Sequence, residues 1–235
     1  WDVLDLLGEP TTYPHLPTAD DLGHYTGFTL YTPHLPPTRD GVLAVAEVRD
    51  RAQVFVDRRS HGVLSRDHGE RMIGVSADAG AVVELLVEDL GRVNYGPRIG
   101  EPKGLIGPAT LDGAPVDTWT VRPLRLDHVD TVLRRLRDGD PVDAPLAGPV
   151  FSLAEFAAVE TDRDLFLDTS SWGKGVAWIN GFCLGRYWNR GPQRTLYVPA
   201  PLLRPQGNEI VVLELHAAAP TVRFVARPDL GHTEQ

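Results

Sequence analysis

Turn-forming residues interrupt this chain every few positions, and that spacing restricts the fold more than any other feature. Between them lie short runs rich in β-branched and aromatic side chains. They are Gly27-Phe28-Thr29-Leu30-Tyr31, Gln53-Val54-Phe55-Val56-Asp57, Val82-Val83-Glu84-Leu85-Leu86-Val87, Gly175-Val176-Ala177-Trp178-Ile179, Thr195-Leu196-Tyr197-Val198 and Glu209-Ile210-Val211-Val212-Leu213-Glu214-Leu215. Runs of this length and composition read as strands. Many short strands without intervening helices build sandwiches or barrels, not alternating βαβ units. An all-β chain is expected. One helix is expected, from Asp127 to Arg137, where Val129, Val132, Leu133 and Leu136 make a single apolar stripe. Asp127 can cap its start, Arg134, Arg135 and Arg137 suit its negative end, and Gly139 can close it. The Pro- and Gly-rich stretch from Asp138 to Pro149 then reads as a linker.

The stretches on either side of that linker resemble each other. Phe55-Val56-Asp57 with Gly62 matches Trp178-Ile179-Asn180 with Gly185 at an offset of 123. The same offset places Phe28-Thr29-Leu30 on Phe151-Ser152-Leu153, and Leu86-Val87-Glu88 resembles Val212-Leu213-Glu214 at a slightly larger one. The shared order predicts two related β-sandwiches. The first covers residues 1–126 with an N-terminal lead-in, the helix and linker cover 127–149, and the second covers 150–235. Asn180-Gly181 is a strong hairpin signal, because both central residues of a type I′ turn need positive φ. Asp57-Arg58 holds the same place with a poorer pair, so a wider or more strained turn is expected there.

With 235 residues, 42% of them hydrophobic, the chain can bury more than one small core. Its formal charge of −9 speaks against nucleic acid as a partner, since phosphate binding needs a positive footprint. No apolar run approaches the roughly 20 residues of a membrane span, and no membrane partner is expected. The single cysteine, Cys183, excludes an internal disulfide and a cysteine-based zinc site, and it reads as a small buried hydrophobe. Only Lys103 and Lys174 are lysines, so 21 of the 23 basic residues are arginine. The chain begins at Trp1, holds one internal methionine (Met72), and lacks a signal-peptide pattern. A piece of a longer polypeptide is the expectation; its compartment, cytoplasmic or secreted, is left open.

Catalytic patterns are sparse. There is no Gly-x-Ser-x-Gly elbow, no HExxH pair and no lysine-bearing phosphate loop. His61 and His68 flank a turn that contains Asp67, and Asp89 or Asp112 could offer oxygen ligands to calcium, but no loop pattern supports either site. No metal and no cofactor are expected. Asp20, Asp21, Glu88, Asp89 and Glu214 supply carboxylates without showing the paired geometry that glycoside hydrolysis needs. Aromatic residues gather late in the chain. Trp178 alternates with Val176 and reads as core, whereas Trp172 and Trp188 sit in or beside loops, Trp188 next to Asn189 and Arg190. Flat rings flanked by Asn and Arg suit stacking on sugars, so Trp172, Trp188, Asn189 and Arg190 are the candidate carbohydrate-binding residues. Packing between sheets is the competing reading.

The run from Trp172 through Asn189, continuing as Gly191-Pro192-Gln193-Arg194-Thr195-Leu196-Tyr197-Val198-Pro199 and Gly207-Asn208-Glu209-Ile210, resembles the C-terminal signature of family 35 glycoside hydrolases, the β-galactosidases. In the first half, Asp21-Leu22-Gly23, Val48-Arg49-Asp50-Arg51-Ala52, Val87-Glu88-Asp89-Leu90-Gly91-Arg92-Val93-Asn94-Tyr95-Gly96 and Lys103-Gly104-Leu105-Ile106-Gly107 are similar too. Cys183 and Arg58 depart from the pattern, where a polar residue and glycine are usual.

The resemblance implies jelly-roll, galactose-binding-like sandwiches attached to an N-terminal (β/α)₈ barrel. That barrel carries two glutamates and cleaves terminal β-linked galactose with retention. A barrel needs ~250 residues of its own, so no catalytic residue is assigned here. The expected role is bracing of the catalytic barrel of the same polypeptide, with the loop Gly91 to Gly107 and its Asn94 and Tyr95 facing it. Galactosides would then be met through the parent enzyme, and the piece alone would be inactive. An independent carbohydrate-binding module and an oligomerisation module, with a homo-oligomer as partner, are the alternatives.

Overall fold

The computed structural model describes residues 3–139, 146–158 and 161–231. The chain divides into two compact units, the first ending at His128 and the second beginning at Val129. In the first, α1 (Leu4–Leu7) precedes β1 (Thr11–Tyr13), β2 (Gly27–Pro33), β3 (Thr38–Arg49), β4 (Arg51–Val56) and β5 (Arg59–Ser65). Then come β6 (Met72–Ala77), β7 (Val83–Asp89), β8 (Gly104–Leu111), β9 (Ala114–Pro115) and β10 (Trp119–Leu124). They form two antiparallel sheets, in the orders β1-β10-β2-β7-β4-β5 and β6-β3-β8-β9. Alternation along each strand sends one set of side chains between the sheets. Tyr31, Val54 and Leu85 from the larger sheet meet Leu43, Leu105 and Leu111 from the smaller in one buried core. Trp119 closes it, with its indole N–H donating to the Val116 carbonyl at 2.9 Å.

The second unit opens with α2 (Val129–Arg137). Its strands are β11 (Val150–Phe156), β12 (Leu165–Asp168), β13 (Lys174–Ile179), β14 (Phe182–Trp188), β15 (Thr195–Val198), β16 (Asn208–Glu214) and β17 (Arg223–Val225). The sheets run β11-β16-β13-β14 and β15-β12-β17. Ala177, Ile179, Ile210 and Val212 pack against Leu167, Leu196 and Val198 between them. Trp178 is buried on the opposite face of β13, with its ring 6.4 Å from Phe151.

The helix carries the expected stripe, with Val129, Val132 and Leu133 buried. It starts later than Asp127, which instead lies in the 3₁₀ turn Leu126–His128. Gly139 ends it, its amide donating to the Leu136 carbonyl at 3.3 Å. Residues 140–145 of the expected linker lie outside the described residues. The short α1 carried no sequence signal.

The internal likeness extends to topology and register. The order β2-β7-β4-β5 in the first unit is matched by β11-β16-β13-β14 in the second. Both hairpins carry a bulge at the same point: the register shifts between Val54 and Phe55 in one and between Ala177 and Trp178, 123 residues on, in the other. The turns match as well. Val56 pairs with Arg59 and Ile179 with Phe182, leaving two-residue loops in which all four central residues have positive φ. The Asp57-Arg58 turn is therefore not wider than its counterpart. It is strained, because Arg58 holds a φ of 63°. Cys183 also departs from expectation. It is exposed, because β14 is an edge strand and its first residues, Phe182 and Cys183, have no cover.

Candidate functional site

Two polar clusters stand out, one in each unit. In the first, the irregular segment between β7 and β8 is held at both ends by buried charge. Lys103, only 2% exposed, donates from Nζ to both Asp50 carboxylate oxygens, at 2.9 and 2.8 Å. The same carboxylate accepts the Leu90 amide at 2.9 Å and Arg66 Nη1 at 3.0 Å. Arg66 also grips Glu101, with Nη2 to Oε2 at 3.1 Å. Asp20 takes the Lys103 amide at 2.7 Å and Arg92 Nη1 at 2.6 Å. Glycine is required at 104, since φ there is 98° and a β-carbon would collide with the Tyr31 hydroxyl.

These contacts set the acidity of the carboxyls. Burial pushes Asp50 up, but Lys103, the Leu90 amide and Arg66 outweigh it and hold the group below the usual range. Glu101 is lowered chiefly by its hydrogen bond from Arg66. Both stay ionised, so the cluster is a closed set of charges with its cations already engaged. The segment it pins carries Asn94 and Tyr95 outward. Asn94 is exposed, Tyr95 is 89% exposed and Ile99 is 62% exposed.

The second cluster surrounds the start of β13. Glu214 is buried and accepts four hydrogen bonds. Oε2 takes the Tyr187 hydroxyl at 2.8 Å and the Gly173 amide at 3.2 Å; Oε1 takes the amides of Lys174 at 3.0 Å and His216 at 2.9 Å. Burial and then the Glu214 charge push the Tyr187 phenol well above its ordinary range, so it stays a donor. Gly175 is needed here, because a β-carbon would strike the Leu213 carbonyl and the Tyr187 ring.

The four candidate sugar-binding residues gather around this cluster. Trp172 is 4% exposed and packs edge-on against Tyr187, with ring centroids 5.2 Å apart. Trp188 is half-buried, with Lys174 Nζ 4.2 Å and the Arg190 guanidinium 4.4 Å from its ring centroid. Asn189 and Arg190 are exposed, and the Asn189 amide donates to the Gly173 carbonyl at 2.8 Å. Trp172 is thus a core residue, while the accessible polar groups are those of Asn189 and Arg190. Among the described residues, no group of three His, Cys, Asp or Glu side chains is placed to hold a metal ion.

Comparison with known proteins accounts for both units. The family model for the first all-β domain of β-galactosidase matches residues 17–125, and that for the β-galactosidase galactose-binding domain matches residues 149–208. The chain belongs to the β-galactosidase family. It carries the accessory all-β region of such enzymes. Human β-galactosidase-1-like protein 2 is 37% identical over 100% of this chain and 37% of its own length. Human β-galactosidase is 38% identical over 88% of the chain and 35% of its own length, and rice β-galactosidase 8 is 31% identical over 88% and 37%. The chain therefore spans little more than a third of these relatives.

In the sequence of this β-galactosidase region, Asp50 and Lys103 stood out only as parts of separate motifs, Arg66 and Glu101 did not stand out, and Glu214 was one carboxylate among many. A signal was present. The chain holds only two lysines, and each precedes a glycine at the opening of a strand, as Lys103-Gly104 and Lys174-Gly175. Each is 2% exposed.

Proposed function

We propose that this chain braces the catalytic barrel of a β-galactosidase that cleaves terminal β-linked galactose, and that it is not itself the catalyst. The observation that carries this is the pinned loop. A segment whose base is fixed by buried ion pairs and whose tip exposes Tyr95 and Ile99 is preorganised for docking. Asn94 and Tyr95 face the barrel in this reading. Neither cluster supplies a free carboxylate pair: Asp50 and Glu101 are held by cations, and Glu214 is held by four donors.

The test is assay of the purified 235-residue chain with a chromogenic β-galactoside, beside the longer polypeptide. The chain is expected to show no turnover above buffer. Turnover comparable to the longer polypeptide overturns the proposal. Tyr95→Ala in the longer polypeptide should lower its melting temperature by several degrees while leaving that of the isolated chain unchanged.

Exposure of Asn189 and Arg190 beside Trp188 favours a second reading, direct sugar binding by the second unit. Titration with galactose followed by NMR tests it. Shifts confined to residues 186–191 would support it, and an unchanged spectrum at high galactose would remove it.

A further inference from the structure

Among the described residues, the second unit has an open strand where the first has a paired one. β2 is paired on both sides, by β7 and β10, and Phe28 to Tyr31 are buried. Its counterpart β11 is paired by β16 alone among the described residues; Val150 to Leu153 are half-buried, and Ala154 and Glu155 are exposed. The inner face differs in size as well. Ser152 and Ala154 stand opposite the core residues Val212 and Ile210. By pairing, Ser152 takes the place of Tyr31, which is fully buried in the first core: Tyr31 and Val54 both face Leu85, as Ser152 and Ala177 both face Val212. Without that ring, a groove of about 400 Å³ lies beside β11, lined by Ser152, Ala154, Trp172, Ile210, Val212 and Val222 among others.

A strand edge unpaired among the described residues, beside a largely apolar groove, is the receptor geometry for strand addition. Backbone groups on the edge give the ladder, and alternate side chains of the incoming segment enter the groove. We infer that β11 accepts an extended segment of the same polypeptide as an added strand, with a large apolar side chain filling the groove beside Ser152. The first unit supplies the precedent, since the matching edge of β2 is covered by β10, a strand of its own chain. The relatives supply the length, since this chain spans only 35–37% of theirs. The inference rests on the reading that the chain is the accessory region of a longer enzyme.

Hydrogen exchange separates the two claims. Amides of residues 150–156 should exchange at least tenfold more slowly in the longer polypeptide than in the 235-residue chain. Ser152→Tyr, which restores the ring of the first unit, should abolish that slowing without lowering the melting temperature of the 235-residue chain. If residues 94–99 gain protection in the longer polypeptide but 150–156 do not, the strand-addition inference fails and the bracing role stands. If neither stretch changes, both fail. Protection of 150–156 that rises with concentration of the 235-residue chain alone would assign the edge to a second copy and overturn the inference.

Discussion

Asp57 and Asn180 are different residues doing one job. The Asp57 amide donates to the Val82 carbonyl at 2.9 Å, and its carboxylate accepts the Val82 amide at 2.9 Å. The Asn180 amide donates to the Glu209 carbonyl at 2.9 Å, and its side-chain oxygen accepts the Glu209 amide at 3.0 Å. Each clasp ties the hairpin tip to the neighbouring strand, and each residue tolerates the left-handed backbone the turn needs. Asn180 also donates to the Leu202 carbonyl at 2.6 Å, so Asn180→Ala should cost about 1–2 kcal/mol in urea unfolding. Arg58 is the weak partner of the first turn. Arg58→Gly removes a left-handed arginine and should stabilise the first unit by about 1 kcal/mol, read as a higher urea midpoint. The Asn-Gly turn was legible in the sequence because its chemistry is local. The tightness of Asp57-Arg58 was not, because Val82, which holds it, lies 25 residues away.

Six strands, β2, β4, β7, β13, β15 and β16, were legible as short β-branched and aromatic runs, and the repeat that relates the two halves was legible as motifs matching at an offset of 123; β3, twelve residues long, was not read. The segment between β7 and β8 was read only as a long loop. What organises it is the pairing of Asp50 with Lys103 across 53 residues and of Arg66 with Glu101 across 35. Periodicity carries no information on such partners. Removing one member leaves an uncompensated buried charge, so Lys103→Met should destabilise the first unit by about 3–5 kcal/mol and raise exchange at residues 90–103. Acid should act in the same place. Asp50 and Glu101 have folded-state values below their unfolded ones, so their stabilisation is complete above about pH 4.5 and is lost as pH falls through the lower folded values. Urea midpoints taken from pH 7 down to pH 3 should therefore fall chiefly below pH 4.5, and an Asp50→Asn variant should show a shallower fall.

At the scale of the whole chain, each unit keeps its own core, one built from strands before His128 and the other from strands after Val129. Residues 3–128 produced alone should accordingly unfold cooperatively in urea with Trp119 fluorescence as the probe; a chain lacking any transition would deny that independence. Short runs between turn formers made the all-β reading possible, and the burial of Trp172 shows the limit of reading side chains the same way: an aromatic residue in a loop motif can still point into its own core. The two buried lysines have a wider consequence. Lysine acetylation, ubiquitin conjugation and coupling to amine-reactive esters all require an accessible ε-amine. The folded units offer none, with Lys103 and Lys174 both enclosed. Side-chain amine labelling of this chain is therefore a clock for its opening: Lys103 reports the first unit, Lys174 the second, and each reacts only as fast as its own unit unfolds.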